Sequence, residues 1–356
     1  MRSLACPKPA SRGWDNRDCS CCSPHQTNRL FKLLKIGLVG CGYLGSRHLK
    51  HLSSLEGVEV SRIWDQDPVA LTRAAENFGI LPAGSLEDLL SNSDAVDVVT
   101  PTATHFEIGR RVLEAGLPLF IEKPLCATGE EGERLVEMAD AARLPIQVGH
   151  IERFNPAFRA LQTLNIRPSF IEAHRLAPWN PRGIDVAVVH DLMIHDLDLL
   201  LALAGEFPDA VHASGVGVVT DSVDIANVRL EFPGGLVANI TASRISLKQM
   251  RKLRIFASNA YITLDFVLGS CEYVGVSPDL DKIPENAQII GEMGEGERKR
   301  FVHHSATFAE KGDALRLELE SFRDAVLTGT TPPVTGGDGL RALKLAELVV
   351  IKISGN

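Results

Sequence analysis

The sequence predicts an α/β protein: a doubly wound parallel sheet, then an α+β domain with a mixed, largely antiparallel sheet. Three observations support this prediction. Strand-like apolar runs alternate with helical runs from residue 35 to about 150, and a glycine-rich turn follows the first run. From residue 168 to about 275, alternating strands surround one strong helix. We therefore expect a disordered extension over 1–34, the parallel domain over 35–150 and the second domain over 151–356.

The composition is that of an ordinary globular protein, and it limits the choice of partners. Apolar residues make up 45% and charged residues 23% of 356 residues, which is long enough for two buried cores. The net charge of −8 argues against nucleic acid or an anionic membrane as the main partner. The apolar run 197–204 is too short to cross a membrane.

Four of the seven cysteines lie in the first 34 residues, which are otherwise polar and lack the apolar core of a signal peptide. We interpret this segment as disordered, or as the product of a start codon placed too early. A metal or redox site at its Cys-x-Cys-Cys cluster is the alternative, although no second ligand pair matches it. Cys41, Cys126 and Cys271 are widely spaced. They predict free thiols in a reducing, cytoplasmic compartment.

The first predicted strand runs into a Gly-x-Gly-x-x-Gly turn formed by Gly40, Gly42 and Gly45. In such a turn the first glycine permits a tight bend, and the second lets a pyrophosphate approach the backbone. The third lets the following helix pack closely on the strand. Because the free N–H groups and dipole of a helix N-terminus favour negative charge, the turn predicts a dinucleotide site of the Rossmann type.

A helix and a second strand follow this turn. The helix is predicted by the spacing of four residues, Leu44, His48, Leu52 and Leu55. The strand, 58–64, ends at Asp65, 20 residues after Gly45. An acid at this place binds the ribose hydroxyls and repels a 2′-phosphate, so NAD is favoured over NADP. A glycine-rich turn next to a solvated aspartate is the plain structural alternative.

Capping residues mark five further helix starts. These are Asp67 before Pro68, Ser85, Thr104 with Glu107 in a capping box, Thr128 with Glu131 in another, and Asn155 before Pro156. Near the C-terminus, apolar spacing predicts one helix through Leu315 and Phe322 and another over 340–351. The stretch 278–300 is rich in Gly, Glu, Asp and Lys, and we expect an exposed loop there.

Two strands of the first domain end in residues that could carry chemistry. Thr100-Pro101 follows one strand, and Glu122-Lys123-Pro124 follows the next. Ligands of open α/β sheets bind at the carboxyl ends of the strands. The proline also restricts the backbone of Lys123, which positions its side chain; a surface lysine at a turn is the alternative. The predicted cofactor-binding residues are Gly40, Gly42, Tyr43, Leu44, Gly45, Asp65, Thr100, Pro101, His105, Glu122 and Lys123.

The one strong helix of the second half, expected from His190 to about 204, carries a polar stripe. Asp191, His195 and Asp198 are spaced i, i+4 and i+7, so they share one helical face. A catalytic histidine with its neighbouring aspartate, a hydrogen-bonded structural histidine and a metal site all remain open. The metal site is least favoured because the two histidines are five residues apart, so we expect no metal.

The glycine turn, Glu122-Lys123-Pro124 and Asp191-x-x-x-His195, in this order, resemble the glucose–fructose oxidoreductase, inositol dehydrogenase and rhizopine-catabolism (Gfo/Idh/MocA) family of NAD(P)-dependent sugar dehydrogenases. The resemblance runs from about residue 34 to the end and includes 336–343. It implies that Lys123, Asp191 and His195 are catalytic. Members of the family often have glycine where this chain has Met193. The stretch 148–156 resembles members that oxidise the 3-hydroxyl of UDP-N-acetylglucosamine or its uronic acid.

Such a reaction sends hydride to the nicotinamide and a proton to a base. Histidine has a reference pKa of about 6.5, whereas lysine, at about 10.4, would need a downward shift of roughly 3 units. Our hypothesis is that His195, oriented by Asp191, takes the proton, while Lys123 fixes and polarises the hydroxyl and partly shares the proton. Which of Lys123 and His195 is the base stays open.

A UDP-sugar substrate would need cations for its diphosphate. We predict Arg153, Arg182 and Arg244, with Asn155, as substrate-binding residues. The resemblance implies a 3-keto product for later amination in lipid A or surface polysaccharide synthesis. The alternatives are a dehydrogenase of a free polyol or sugar such as inositol, and a non-catalytic NAD-binding sensor. The resemblance also implies a homodimer or homotetramer, and an aminotransferase of the same pathway as a partner.

Overall fold

The fold is known from a computed structural model, which describes residues 33–164, 166–180, 186–308 and 312–355. The predictions for residues 1–34 concern a segment that lies almost wholly outside the described residues, and so do its four cysteines. Arg182, predicted to bind substrate, is also outside them. Everything below refers to the described part of the chain.

The first sheet has five parallel strands in the order β2-β1-β3-β4-β5. Their bounds are Leu34–Val39 (β1), Val58–Trp64 (β2), Ala95–Val98 (β3), Leu119–Glu122 (β4) and Ile146–Gly149 (β5). Three of these strands, β3, β4 and β5, are buried along their whole length, as expected for a sheet covered on both faces. The strand order reverses between β2-β1 and β3-β4-β5, which is the place where doubly wound sheets bind ligands. The predicted sheet is confirmed.

Five helices accompany this sheet: Tyr43–Leu52 (α1), Pro68–Phe78 (α2), Leu86–Ser91 (α3), His105–Glu114 (α4) and Gly129–Ala142 (α5). Two predicted caps are confirmed, since Asp67 accepts from the Val69 N–H and Ser85 accepts from the Asp88 N–H. In α1 the buried face is formed by Gly45, His48, Leu49 and Leu52. The predicted helical spacing is therefore right for His48 and Leu52 and wrong for Leu44 and Leu55.

Leu44 is 38% exposed, and Leu55 lies beyond the end of α1. The physical reason is that Gly45, with no side chain, is the residue that packs against the turn, which rotates Leu44 away from the core. Periodicity alone could not show this, because glycine counts as neither apolar nor polar in such a pattern.

The capping box predicted at Thr104 is wrong. A short 3-10 turn, Thr102–Thr104, precedes α4, and Thr104 makes no side-chain cap bond. Its hydroxyl donates instead to Thr100 Oγ1 at 2.9 Å and to the Pro101 carbonyl at 2.8 Å. At the start of α5, Thr128 does accept from the Glu131 N–H, but the Glu131 carboxylate accepts from Ala127 rather than from Thr128.

The second sheet has nine strands in the order β13-β14-β12-β11-β10-β6-β9-β8-β7. All neighbours are antiparallel except β6 and β9. The bounds are Phe170–Leu176 (β6), Ala210–Val216 (β7), Ile225–Glu231 (β8), Val237–Ser243 (β9), Met250–Ala257 (β10), Ala260–Asp265 (β11), Ser270–Ser277 (β12), Gln288–Met293 (β13) and Arg300–Phe308 (β14). This confirms the predicted mixed, largely antiparallel sheet.

One strand, β13, lies where an exposed loop was expected. The segment 278–300 is indeed largely exposed, but part of it pairs with β14, from Gln288 with His304 to Met293 with Arg300. An edge strand with both faces open to solvent does not need apolar residues at alternate positions, so its sequence resembles that of a loop.

Four helices complete the fold: Pro156–Gln162 (α6), Ile194–Ala204 (α7), Ala314–Thr328 (α8) and Gly336–Ser354 (α9). Leu319 and Phe322 of α8 belong to the core that contains β1, and the ring of Phe322 lies 5.7 Å from that of Phe120. In α9, Leu343 packs with the first sheet and Leu345 with the second. The two sheets are therefore connected by α9.

Among the described residues, no helix combines the length and the apolar character that crossing a membrane would require.

Candidate functional site

The glycine turn has the geometry that its sequence predicts. Gly40 has φ = +102°, a backbone conformation that side chains disfavour, and a Cβ there would lie 2.4 Å from the Val99 carbonyl oxygen. A Cβ at Gly45 would lie 1.8 Å from the Gly40 carbonyl oxygen, so only glycine permits this approach of α1 to the turn. Gly42, the N-cap of α1, faces open space. The backbone can thus be approached by a phosphate.

Asp65 lies beside this turn, as predicted. Its Oδ2 accepts from the Cys41 N–H at 2.6 Å, and its Oδ1 accepts from the Asp67 N–H at 2.8 Å. Two backbone donors therefore hold the carboxylate in place at the end of β2. Tyr43 and Leu44 lie within the turn, between Gly42 and Gly45, with exposed fractions of 72% and 38%. These residues fit an adenosine ribose and pyrophosphate without a basic side chain.

His105 connects two strand-end loops of the predicted site. One ring nitrogen is 2.9 Å from the Thr100 carbonyl oxygen, and the other is 2.8 Å from the Pro124 carbonyl oxygen. The ring is buried, which lowers its pKa. His105 therefore holds the Thr100-Pro101 loop against the loop that carries Lys123, which is a positioning contact next to the predicted cofactor site.

Lys123 extends from the end of β4 to the helix of the second domain. Its Nζ donates to the Asp191 carbonyl oxygen at 2.8 Å and lies 3.7 Å from Asp191 Oδ1. Burial lowers the pKa of Lys123 below its ordinary value, although the charges of Asp191 and Glu122 oppose that shift. The two motifs that the sequence places 68 residues apart are thus in direct contact.

The helix that carries the second motif does not have one polar face. A π-helical turn, Val189–Met193, precedes α7. Because a π turn contains more residues than an α turn, positions i and i+4 no longer align across it. Each aspartate instead contacts a different cation: Asp191 contacts Lys123, Asp196 accepts from Arg175 at 2.8 Å, and Asp198 accepts from Arg153 at 2.7 Å.

His195 is half-buried at the start of α7, and its Nδ1 has no hydrogen-bond partner among the described residues. Burial lowers its pKa well below the ordinary value, and the positive charge of Lys123 adds to the shift. The imidazole is therefore neutral near pH 7 and able to accept a proton. The predicted orientation of His195 by Asp191 stays a prediction, because the contact described for the Asp191 side chain is with Lys123.

Two predicted substrate-binding residues have structural partners. Arg153 donates to both oxygens of the buried Asp198 carboxylate at 2.7 Å, which fixes the 3-10 helix Ile151–Phe154 to α7. Asn155 caps α6 by accepting from the Ala157 N–H, and it donates to Glu152 and to the Phe266 carbonyl. The Asn155 amide is thus used by the fold, and Arg153 joins two elements; that either residue binds substrate stays a prediction.

Arg244, the third arginine, lines a cavity of about 470 Å³ together with Trp179, Asp191, Leu192 and Gln249. Its guanidinium donates to the Val186 carbonyl, and the residue is 6% exposed. Asp191, which lines this cavity, also accepts the hydrogen bond from Lys123. The cavity therefore offers a ligand space between Asp191 and Arg244.

Comparison with known proteins agrees with this geometry. Residues 34–150 match the description "Oxidoreductase family, NAD-binding Rossmann fold" of the Gfo/Idh/MocA family, and residues 167–263 match its C-terminal domain. The UDP-N-acetylglucosamine 3-dehydrogenase of Acidithiobacillus ferrooxidans is 33% identical over 323 residues, covering 90% of this chain and 97% of that protein.

This chain belongs to the Gfo/Idh/MocA family. A solved structure of the Acidithiobacillus ferrooxidans enzyme has a TM-score of 0.80 at 32% identity, covering 91% of this chain and 98% of that one. An inositol 2-dehydrogenase of Saccharopolyspora erythraea is 32% identical over 333 residues, covering 88% of this chain and 91% of that protein. The predicted resemblance is confirmed, and the chain is an NAD-binding oxidoreductase.

Within this Gfo/Idh/MocA site, the motifs did not reveal several buried residues. His48 bonds to Asp97 and Glu122, and Glu318 of α8 lies near all three. His150, which follows β5, is 1% exposed, and neither ring nitrogen has a hydrogen-bond partner among the described residues. His48 was visible in the sequence only as one position of an apolar helical stripe, which is a weak signal for a charged group.

Proposed function

We propose that this chain oxidises the 3-hydroxyl of UDP-N-acetylglucosamine, or of its uronic acid, with NAD⁺. The observation that carries the proposal is the 2.8 Å hydrogen bond between Lys123 Nζ and the Asp191 carbonyl. It brings the strand-end lysine to the segment that contains His195. A cofactor domain and a proton-accepting group thus share one cleft, which suits oxidation of an alcohol.

The proposed reaction follows from the protonation states in this cleft. NAD⁺, when bound, accepts the hydride from the carbon that bears the hydroxyl. His195, whose pKa is lowered by burial, is neutral and takes the hydroxyl proton. Lys123 donates a hydrogen bond to the same oxygen and polarises it. The C–H and O–H bonds break, a C=O bond forms, and the products are a 3-keto sugar, NADH and protonated His195.

The cavity next to Asp191 supports a sugar nucleotide over a free sugar. Its volume of about 470 Å³ exceeds the need of a single sugar ring. Arg244 offers a cation to a diphosphate, and the partly exposed indole of Trp179 offers a surface on which a base can stack. The similarity to the UDP-N-acetylglucosamine 3-dehydrogenase points in the same direction.

Oxidation of a free polyol such as inositol is the second candidate. The similarity to an inositol 2-dehydrogenase, 32% identical over 333 residues, favours it. A free polyol would have no use for Arg244, so the two candidates differ in whether this residue affects substrate affinity. Retention of both Lys123 and His195 argues against the third idea, a sensor that only binds NAD.

The remaining parts of the proposal concern context. The 3-keto product would be a substrate for transamination, which motivates an aminotransferase partner in lipid A or surface polysaccharide synthesis. We further propose a homodimer or homotetramer in the cytoplasm. Phe170, Phe256 and Tyr261 form an aromatic row on the nine-stranded sheet, with ring centroids 5.5 Å and 5.0 Å apart, and this row would suit a subunit contact.

The test is a single-turnover assay. Purified protein with NAD⁺ is mixed in parallel with UDP-N-acetylglucosamine, its uronic acid and myo-inositol, and NADH formation is followed by absorbance. A single turnover is used because tightly held NADH or an unfavourable equilibrium would hide steady-state activity. We expect NADH with one of the UDP sugars and none with myo-inositol. NADH with myo-inositol alone would favour the second candidate, and silence with all three despite NADH binding would contradict both.

A further inference from the structure

Four ionisable side chains lie buried together beneath the end of β4. His48 comes from α1, Asp97 from β3, Glu122 from β4 and Glu318 from α8. Three of them are 0% exposed, and Glu122 is 8% exposed. A buried charge is costly unless it is paired. A cluster of this kind, next to the proposed catalytic lysine, therefore suggests a role beyond packing.

Both ring nitrogens of His48 contact carboxylates. Nδ1 lies 2.9 Å from Asp97 Oδ2, and Nε2 lies 3.1 Å from Glu122 Oε1. Where both carboxyl groups are ionised, each ring nitrogen donates a hydrogen bond, and the ring is then the imidazolium. Burial alone would lower the pKa of His48, but the two carboxylates raise it to about 10. Burial raises the pKa of Asp97 and, more strongly, that of Glu318.

Glu122 links His48 to Lys123. Its Oε2 accepts from the backbone N–H of Lys123 at 3.1 Å. Burial alone would raise the pKa of Glu122, but the hydrogen bond and charge of His48 bring it below its ordinary value. Gly149 on β5 leaves the necessary space, since a Cβ there would lie 2.8 Å from the Glu122 carboxyl carbon. The carboxylate is thus a fixed anion next to the lysine.

Helix α1 begins at the glycine turn, with Gly42 as its N-cap, and His48 lies within it. We infer that His48 is a positioning residue for Lys123: its imidazolium orients the Glu122 carboxylate, which in turn fixes the lysine and balances its charge. The His48 side chain also joins α1, which begins at the glycine turn, to β4, which ends next to Lys123. This inference rests on the proposed role of Lys123.

Two amide variants separate positioning from mere packing. In His48→Gln the amide nitrogen replaces Nε2 and keeps the bond to Glu122; in His48→Asn it replaces Nδ1 and keeps the bond to Asp97. Both variants lose the positive charge and one buried contact. We expect comparable losses in melting temperature. We also expect kcat to fall about tenfold or more in His48→Asn but only about threefold in His48→Gln, because a small displacement of a catalytic group is costly in rate.

His51→Gln is the matched control. His51 lies on the same helix, and its Nε2 is 3.2 Å from Asp313 Oδ2, away from the cluster. We expect kcat and the KM for NAD⁺ to match those of the wild type. Equal losses of kcat in His48→Gln and His48→Asn would overturn the inference, and so would a folded His48→Asn with unchanged kcat.

A binding measurement makes the test independent of turnover. The ammonium of Lys123 should repel the positive nicotinamide of NAD⁺ but not NADH, so the ratio of their dissociation constants should change with pH. Because both variants lose the charge of His48 but only His48→Gln keeps the bond to Glu122, we expect the pH of that change to shift further in His48→Asn than in His48→Gln. If the wild type oxidises none of the three sugars but this shift occurs, the proposed function fails and the positioning role stands. No shift, with an active wild type, contradicts the positioning role alone.

Discussion

Lys123 and Asp191 are joined by a 2.8 Å hydrogen bond from the lysine Nζ to the aspartate main-chain carbonyl. The contact depends on the backbone of a π-helical turn, not on the carboxylate that the sequence motif emphasises. The aspartate side chain is a longer-range partner, with Oδ1 at 3.7 Å. The lysine is therefore positioned mainly by the path of the chain before α7, and its charge is balanced by carboxylates on both sides.

The first prediction concerns the two proposed catalytic residues. Lys123→Met should abolish turnover, because the hydroxyl loses its polarising group, and His195→Asn should lower kcat by about 10²- to 10⁴-fold, the usual contribution of a general base. NADH binding, measured by fluorescence titration, should change little in either variant. A His195→Asn enzyme with nearly intact kcat would show that His195 is not the base.

The second prediction is the pH dependence of kcat/KM. The pKa of His195 is far below 6.5, so the base is already unprotonated at neutral pH, and the acid limb should lie well below 6.5. The pKa of Lys123 is below 10.5, so activity should fall again as the polarising ammonium loses its proton on the alkaline side. A rate that instead rises through this alkaline range would identify Lys123 as the base.

The third prediction tests the glycine turn. In Gly45→Ala the new methyl group would lie 1.8 Å from the Gly40 carbonyl oxygen, so the turn or α1 must move. NADH affinity should therefore fall by at least about tenfold, a loss of roughly 1.4 kcal/mol in binding free energy. Gly84→Ala is the control, since, apart from its chain neighbours, the nearest atom to a Cβ there would be Asp88 Oδ2 at 4.0 Å. Unchanged NADH affinity in a folded Gly45→Ala protein would place the cofactor elsewhere.

The fourth prediction distinguishes a sugar nucleotide from a free sugar. Arg244→Gln should raise the KM for the UDP sugar by about tenfold or more, because a charge-assisted bond to the diphosphate is lost, with NADH affinity unchanged. Arg229→Gln is the control, since Arg229 pairs with Glu231 on the exposed face of β8. If the two substitutions affect KM equally little, Arg244 does not contact the substrate.

The succession of strands and helices, the glycine turn and the position of Asp65 could all be predicted because each depends on local pattern. The π-helical turn at Val189–Met193 could not, because nothing in an i, i+4 spacing shows where a helix widens. The pairing of Arg153 with Asp198, 45 residues away, also depends on tertiary packing, here of the segment after β5 against α7. For the same reason the sequence could not show that His48 is charged rather than part of an apolar stripe.

The start of α9 illustrates a second limit of prediction from sequence patterns. The Gly336-Gly337 pair opens α9, which the apolar pattern predicted to begin only at residue 340. A capping box between Thr335 and Asp338 stabilises this first turn, and glycine is tolerated there because Gly336 and Gly339 pack against Ile146 and Val148. Close packing, which intrinsic helix propensity does not include, decided this boundary.

The most direct test follows the transferred hydrogen. UDP-N-acetylglucosamine carrying deuterium at C3 is incubated with stoichiometric enzyme and NAD⁺, and the nucleotide product is examined by mass spectrometry. The account predicts NADH that is one mass unit heavier than the product from unlabelled substrate, together with a 3-keto sugar nucleotide. Unlabelled NADH would show that another carbon is oxidised, and the absence of any reduced cofactor from a protein that binds NADH would contradict the proposed function.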